Sequence, residues 1–321
     1  MEFFHGVNIN WLGKKWYFLA FSLIFSVAGI AKMSYNWTQI HTPVKLGVDF
    51  RGGTELRVQF KDQAPDITRI RQAVSAEGIS GASITTLGDP ANHEVLISLP
   101  EQTNEHGLDI GREKVEQALT AHYGVPFIVR DSVVVGPTVG RQLEGQAGRA
   151  ILYSMLGMLV YLWFRFQLIY GVAAVIACFH DTLITVGAFA LTGQEISLTV
   201  IAAILTLVGY SMNDTIVVFD RIRENLRLTR REPLADLVNR SINQTLSRTV
   251  LTSGLTFLTV LSLYIFGGEV LKGFSFALVI GILIGTYSSI AIAAPMLVAW
   301  QESRAEKGKT ASLPAAKRSR A

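Results

Sequence analysis

Three ionisable side chains lie inside long apolar stretches of the sequence, where charge is costly. His180 and Asp181 lie near the middle of the stretch 166–191, and Asp214 lies towards the end of the stretch 196–219. An ionised carboxylate in hydrocarbon costs about 2.5 to 3.5 kcal/mol even on lenient insertion scales, so it should face a packed interior or a wet cavity. A carboxylate that alternates between an apolar pocket and a nearby cation changes its proton affinity. The chemistry that these residues predict is therefore proton uptake and release.

One cation and several polar side chains could serve these acids. Arg248 begins the apolar stretch that follows Asp214, so antiparallel neighbouring helices would bring both to one end of a bundle. Ser211, Asn213 and Ser253 could supply hydrogen bonds, line a path for protons or let helices pack closely. The sequence leaves open whether Asp214 and Arg248 touch. An aspartate that only caps or pins helices is the alternative for Asp214.

His180 and Asp181 are adjacent, so their side chains should point about 100° apart on a helix. We therefore expect that they do not both face one site squarely. A histidine or an aspartate at this depth is a functional candidate by default. A structural hydrogen bond to a serine or threonine on a neighbouring helix is an equal alternative for each of them.

The composition indicates a membrane protein. Of the 321 residues, 50% are hydrophobic and only 17% are charged, whereas soluble domains usually carry roughly 25% charged residues. A helix needs about 20 apolar residues to cross a bilayer core. We predict an α-helical polytopic membrane protein with six transmembrane helices, at residues 16–33, 150–164, 166–191, 196–219, 249–266 and 273–300, the last five forming a bundle within 149–300.

Other classes of protein are disfavoured by residue counts. The net charge of +4 is too small for a nucleic-acid binder unless it is concentrated in one place. The single cysteine, Cys178, excludes a disulfide scaffold and a cysteine-based zinc site. We predict no metal site and no cofactor.

The basic residues predict the orientation of the spans. Lysine and arginine are concentrated in the N-terminal segment 1–15, the loops after the second and fourth spans, and the tail 301–321, so these segments are expected in the cytoplasm. A helical apolar spacing over 234–246 predicts an amphipathic helix along that interface. The segment 34–148 is then expected on the opposite side.

The segment 34–148 is long enough for a domain. Its hydrophobic pattern predicts strands and helices in the order βαββαβ, with strands at 54–60, 82–87, 94–99 and 126–135 and helices at 66–77 and 108–122. This is the order of an α+β ferredoxin-like domain, here extracytoplasmic and placed between the first and second transmembrane helices. Such a sheet is covered by helices on one face and leaves the other available to a partner.

Two short motifs should connect the domain to the membrane. Gly52 and Gly53 permit positive φ and a tight exit into the first strand, whereas phosphate binding is disfavoured because the pair does not follow a strand and open a helix. Gly136 and Pro137 are expected to form a hinge that transmits tilting of the bundle to the domain.

A charged segment follows the fourth span. Asp220, Arg221 and Arg223 are either a solvated helix end that touches anionic lipid or a coupling element.

Four motifs lie at the membrane boundaries. They are GVDFRGGT at 47–54, VGPTVG at 135–140, GYSMNDTIVVFDRIREN at 209–225 and SRT at 247–249. With these motifs the chain resembles the SecD/SecF family of bacterial protein-export membrane proteins across nearly its whole length. The single predicted ferredoxin-like domain and the short chain favour the SecF branch. The order of spans also resembles half of a transporter of the resistance-nodulation-division superfamily.

This resemblance implies a function and a set of partners. It implies a non-enzymatic accessory subunit of the Sec translocase in the inner membrane, with a periplasmic domain, that uses the proton-motive force in late steps of export. Asp214 would be the protonatable residue and Arg248 its associated cation. The implied partners are SecD, the SecYEG channel, YajC, YidC, functionally the ATPase SecA, and unfolded exported polypeptides, with no nucleic acid.

Other functions remain as alternatives. One is a proton-coupled small-molecule exporter subunit of the resistance-nodulation-division type, and another is a scaffolding subunit without its own proton path. Paired carboxylates at Asp181 and Asp214 would also suit an intramembrane aspartyl protease. The neighbours His180 and Asn213 do not match the motifs of such proteases, which disfavours that function.

Overall fold

The computed structural model describes residues 8–61, 64–79, 81–87, 90–100, 110–166, 168–229 and 232–311. The secondary-structure elements are, in chain order, α1 (Lys15–Ile40), β1 (Lys45–Leu46), α2 (Val48–Arg51), β2 (Gly53–Phe60), α3 (Ile67–Ala76), β3 (Ser83–Leu87), β4 (Glu94–Pro100), α4 (Ile110–Ala118), β5 (Phe127–Val135), α5 (Pro137–Arg165), α6 (Leu168–Thr192), β6 (Glu195–Ile196), α7 (Leu198–Leu228), α8 (Leu234–Phe266), α9 (Gly268–Ser288) and α10 (Ala294–Ala311). Two π-helical turns, Leu119–Tyr123 and Ser289–Ala293, extend α4 and join α9 to α10.

Six helices in the described residues are long and apolar enough to cross a membrane, in agreement with the six predicted spans. They are α1, α5, α6, α7, α8 and the continuous α9–α10 helix. Their burial differs: two-thirds of the apolar window of α9–α10 (67%) is buried inside the chain, against 11% for α1 and for α5. The centre of the bundle is therefore α6, α7 and α9, and the other helices pack around it.

The expected amphipathic helix 234–246 and the expected span 249–266 are one continuous helix, α8. This boundary prediction was wrong because no glycine or proline separates Leu234 from Arg248, and nothing in the local sequence stops the helix. Arg248 consequently lies inside α8 and not at the start of a helix.

Most of the other spans also continue past their predicted ends. The span expected at 150–164 begins at Pro137, which suits the first helical position. The helix expected at 16–33 runs to Ile40, and the one expected at 196–219 runs to Leu228 after a start at Leu198. Polar side chains at helix ends project into water without breaking the helix, so an apolar stretch marks the membrane-crossing part and not the whole helix.

The last and the third spans differ at their ends for specific reasons. The span expected at 273–300 begins at Gly268 and continues through α10 to Ala311, so the segment expected as a basic tail, 301–321, begins as helix. Residues 312–321 lie outside the described residues. The span expected at 166–191 starts at Leu168, because Phe166 has an extended backbone.

The inserted domain is built on one four-stranded antiparallel sheet. The strand order is β3-β4-β2-β5, and α3 and α4 cover one face. On β2 the side chains alternate, with Leu56, Val58 and Phe60 buried and the residues between them partly exposed. The Asp66 carboxylate caps α3 by accepting hydrogen bonds from its first backbone amides. The first two residues of the helix expected at 108–122 lie outside the described residues.

The helix α1 crosses α6 at a pair of glycines. A Cβ atom built on Gly187 would lie 2.9 Å from the Cα atom of Gly29, which is closer than atoms pack. The Tyr287 hydroxyl also donates a hydrogen bond to the carbonyl of Phe18. These contacts hold a largely exposed helix onto the centre of the bundle, as small residues do between membrane helices.

Four carboxylates gather where the sheet meets the bundle. The pKa of Glu55, on β2, is raised first by burial and then by the neighbouring charges of Asp49, Glu195 and Asp131. The folded chain therefore holds the Glu55 proton more tightly than the unfolded chain does. The charge on Glu55 costs stability at neutral pH, and that cost disappears as the pH falls through its raised pKa.

We expect Gly187→Ala to lower the free energy of unfolding by about 1 to 3 kcal/mol, because α1 and α6 must separate to admit the methyl group. Thermal unfolding in detergent measures this. Gly157→Ala on α5 is the control, because its added Cβ meets no atom within 4 Å and should leave stability unchanged or slightly higher. Equal behaviour of both variants would contradict the close crossing.

We expect Glu55→Gln to raise the unfolding midpoint by about 1 to 3 °C near neutral pH, because it removes a repelled charge. The gain should shrink as the pH is lowered, since Glu55 then becomes neutral in the natural chain as well. Glu144→Gln, at an exposed position on α5, is the control. A gain that does not depend on pH would show that charge repulsion is not its cause.

Candidate functional site

Two carboxylates are buried at the centre of the bundle. Asp181 on α6 is fully buried and Asp214 on α7 is 2% exposed. Ser211 lies three residues before Asp214, so the two side chains are neighbours on the surface of α7. The helices that surround this part of α7 are α6, α8 and α9.

Asp214 is bound across the interface between α7 and α8. Its Oδ2 atom accepts a hydrogen bond of 2.6 Å from the Ser253 hydroxyl. Asp214 is bonded by Ser253 and not by Arg248, which is exposed on α8. Arg248 precedes Ser253 by five residues, about 7.5 Å along the helix axis. The two expected partners thus lie on adjacent helices, about one and a half turns apart.

Asp181 and His180 together join three helices through their side chains. The Oδ2 atom of Asp181 accepts a 2.6 Å hydrogen bond from Ser211, and its Oδ1 atom lies 3.0 Å from Nδ1 of His180. The Nε2 atom of His180 shares a hydrogen bond with the Ser22 hydroxyl on α1. With Nδ1 donating to the carboxylate, a neutral imidazole accepts at Nε2. The result is a continuous hydrogen-bonded network of Ser22, His180, Asp181 and Ser211.

This network includes one contact that the sequence did not predict. His180 and Asp181 do point in different directions, towards α1 and α7 respectively, but their side chains bond to each other and belong to one network. The reason is that the imidazole is long enough to turn one nitrogen back to its neighbour while the other reaches the next helix. Hydrogen bonds to serines on neighbouring helices, which are the structural alternative for these two residues, are present for both of them.

Small residues on α9 bring this helix close to the polar side chains. A Cβ atom built on Gly285 would lie 3.0 Å from Cβ of Ser211. One turn further on α9, Ser288 is fully buried, and its hydroxyl has no partner among the described residues. The same is true of Thr249 on α8, one turn before Ser253. A buried hydroxyl without a partner is costly, so its position needs a reason. Ser288 and Thr249 add two such hydroxyls to the polar zone around Asp214.

The backbone also changes beside this zone, at Ser289–Ala293, where α9 continues as a π-helical turn. Such turns are rare and occur frequently at functional sites. Sequence reasoning missed this turn, Ser22 and Ser288. Serines are common in apolar spans, so there was no reason in the sequence to select Ser22 or Ser288 as site residues. No residue pattern predicts a π-helical turn.

The charged end of α7 is tied to its neighbours. Asp220 lies 3.6 Å from Arg165 at the end of α5, and Arg223 donates a 3.1 Å hydrogen bond to the Arg165 carbonyl. Arg221 donates to Gln244 on α8 at 2.7 Å. These residues therefore contact two other helices, which a freely solvated helix end would not.

The remaining expected residues lie away from the buried acids. Asn213 is exposed on the outer surface of α7. Gly52 and Gly53 have φ of 78° and 134°, conformations that favour glycine, and lead directly into β2. Gly136, with φ of −71°, and Pro137 join β5 to α5 without an intervening loop. In the part of the chain that the structure describes, no cluster of three metal-ligating side chains occurs.

Comparisons with known proteins agree on one family. Residues 114–303 match the model "Protein export membrane protein SecD/SecF, C-terminal", and residues 40–64 match "SecD/SecF GG Motif". The chain is 52% identical to the protein translocase subunit SecF of Koribacter versatilis, over 98% of this chain and 96% of that protein. It is 43% identical to the SecF subunit of Calditerrivibrio nitroreducens, with 90% and 93% covered.

Solved structures of SecDF are similar in fold. The crystal structure of SecDF, a translocon-associated membrane protein from Thermus thermophilus, matches with a TM-score of 0.79 and 37% identity over 92% of this chain. A SecDF structure described as a super-membrane-facing form matches with a TM-score of 0.70 and 36% identity. This chain spans 39% of the first of these SecDF chains and 40% of the second.

We expect Ser253→Ala to lower the free energy of unfolding by about 1 to 3 kcal/mol, because the Asp214 carboxylate would lose its hydrogen-bond donor while staying buried. Thermal unfolding in detergent measures the loss. Ser262→Ala is the control on the same helix, since the exposed Ser262 bonds only to the carbonyl of Leu258. An unchanged midpoint in Ser253→Ala would mean that Asp214 does not depend on this bond.

Proposed function

Because this chain belongs to the SecD/SecF family and matches SecF subunits over nearly its whole length, we propose that it uses the proton-motive force, together with SecD, to promote late steps of protein export. It is an accessory membrane subunit of the Sec translocase with six membrane-spanning helices. We assign it no enzymatic step and no cofactor.

The observation that carries the proposal is the buried hydrogen bond between Ser253 and Asp214. An ionised Asp214 accepts a hydrogen bond from the Ser253 hydroxyl, whereas a protonated Asp214 carries a proton of its own that also needs an acceptor. Proton uptake therefore changes which bonds hold α7 to α8. In a packed bundle such a change favours a different arrangement of the two helices, because packed interfaces shift between discrete states.

The energy available is sufficient for this step. One charge that crosses a potential of 100 mV supplies about 2.3 kcal/mol. That energy biases a two-state equilibrium roughly fiftyfold. A single proton for each cycle is therefore enough to favour one arrangement of α7 and α8 over the other.

Arg248 and the His180–Asp181 pair take part in the same proton path. A slide of α8 by about one and a half turns, with a rotation that turns Arg248 inwards, would bring Arg248 to the level of Asp214, where it would favour the ionised acid. The hydrogen-bonded His180 and Asp181, continued by Ser211, provide a second place that can hold a proton.

Other expected residues have supporting roles. Asn213 is exposed on the outer surface of α7, which a homologous bundle of SecD would cover. Asp220, Arg221 and Arg223 couple the end of α7 to α5 and α8 through the contacts described above.

The inserted domain is proposed to be periplasmic and ferredoxin-like, with both chain termini in the cytoplasm and the bundle in the inner membrane. The strand order β3-β4-β2-β5, with two helices on one face, supports the fold, and the distribution of basic residues supports the orientation. The uncovered face of the sheet would contact unfolded exported polypeptide, and Gly136–Pro137 would act as a hinge. SecYEG, YajC, YidC and, functionally, SecA complete the proposed set of partners.

We expect Asp214→Asn to reduce potential-driven export at least about tenfold, because the amide is nearly the same size but cannot gain or lose a proton at neutral pH. The measurement is export of a preprotein into vesicles that contain the translocase, SecD and the variant, with and without a membrane potential. Export without the potential should be unchanged, which separates this function from scaffolding alone. Asp236→Asn, at an exposed carboxylate of α8, is the control.

Potential-driven export at the natural level in Asp214→Asn would contradict the proposed proton path and favour the scaffolding alternative. Export of a small compound by the purified chain in liposomes would favour the small-molecule exporter.

A further inference from the structure

A short segment fastens the sheet domain to the start of α7. The strands β1 and β6 pair in parallel, with Lys45 opposite Glu195 and Leu46 opposite Ile196. The amide of Gly47 continues the ladder by donating a 2.9 Å hydrogen bond to the Ile196 carbonyl. We call this segment, residues 45–53 with residues 195–198, the joint.

Asp49 closes the joint at the first turn of α7. Its Oδ2 atom accepts a 2.8 Å hydrogen bond from the amide of Leu198, the first residue of α7. Helix caps normally come from the residue just before the helix, and Ser197 is such a cap here, reaching the amide of Val200. Asp49 is a second cap, supplied from 149 positions away in the chain. A carboxylate is also favoured at this end of a helix by the helix dipole.

Phe50 anchors the joint in the bundle. It is 4% exposed and packs in the same apolar cluster as Phe189, Ile196 and Val200. On the other side of the joint, a Cβ atom built on Gly140 of α5 would lie 2.5 Å from the Phe50 carbonyl oxygen. The short helix α2 is therefore wedged between the first turns of α5 and α7, with no room to slide.

The joint leads without a loop into the centre of the sheet. Gly52 and Gly53 turn the chain directly into β2, which pairs with both β4 and β5. At its other side the joint holds α7, the helix that carries Ser211 and Asp214. From Leu198 to Asp214 the helix is about 24 Å long at 1.5 Å per residue. A continuous, hydrogen-bonded path thus connects the buried acid with the central strand of the sheet.

We propose that Asp49 is a positioning residue that locks the first turn of α7 to the sheet domain, so that the joint moves as a rigid unit and delivers movement of α7 to the sheet. This inference rests on the proposed function, because it assumes that proton occupancy at Asp214 moves α7. It assigns the GVDFRGGT motif a mechanical role: Asp49 caps, Phe50 anchors, and the two glycines turn the chain into β2.

The first experiment separates coupling from proton movement. Asp49→Leu removes the acceptor for the Leu198 amide, whereas Asp49→Asn keeps an oxygen that can cap a helix. Proteoliposomes that contain the full chain, SecD and the translocase report proton flux by a pH-sensitive dye and export by preprotein uptake. We expect Asp49→Leu to lose potential-driven export at least about tenfold while proton flux stays near the natural level, and Asp49→Asn to retain both.

The second experiment tests whether the joint is rigid. Lys45→Cys with Glu195→Cys, in a Cys178→Ala background, places two exposed cysteines opposite each other in the β1–β6 pair, within the usual span of a disulfide. We expect the oxidised staple to leave export unchanged in an otherwise natural chain. We also expect it to restore export to Asp49→Leu, with the restoration lost on reduction.

Loss of export on stapling the otherwise natural chain would overturn the proposal, because the joint would then have to open during the cycle. Full export in Asp49→Leu, or a parallel loss of flux and export, would overturn it as well. These outcomes differ from the result that would contradict the proposed function. That result is wild-type export in Asp214→Asn with the joint intact.

Discussion

The hydrogen bond between Ser253 and Asp214 is the constraint on which the rest of the structure depends. A carboxylate that is 2% exposed inside an apolar bundle must have a donor, and here the donor is the Ser253 hydroxyl on another helix, α8. The interface between α7 and α8 is therefore specific in register, unlike a purely apolar contact that could slip. The same argument applies to Asp181, whose hydrogen bond from Ser211 fixes α6 relative to α7.

Close packing makes these bonds possible. Gly281 and Gly285 bring α9 against α7, where a Cβ atom on Gly281 would lie 2.4 Å from the side chain of Leu207. Gly29 and Gly187 do the same for α1 and α6, about two turns from the bond between Ser22 and His180. Because lipid provides no hydrophobic force between helices, small residues and buried polar pairs together hold the bundle.

One helix connects the buried Asp214 with the joint below the sheet domain. α7 carries Ser211 and Asp214 near the middle of the bundle, and its first turn is held by Asp49 and Ser197. A helix is stiff over this length, so a movement at one end is carried to the other with little loss. The charged end of α7 is also held, through Arg165 and Gln244. α7 is thus restrained at its two ends and carries the buried polar residues Ser211 and Asp214 between them.

The sequence by itself determined the six apolar spans, the order of strands and helices in the inserted domain, and the identity of the costly charges, because hydropathy and alternation are local properties of the chain. Only the tertiary structure decided that α8 is continuous, that Ser22 completes the His180–Asp181 network, and that Asp49 caps α7. Each of these depends on which distant segments lie side by side. Hydrogen bonds between residues 149 positions apart leave no periodic signal in a single sequence, and an apolar span looks the same whether it faces lipid or another helix.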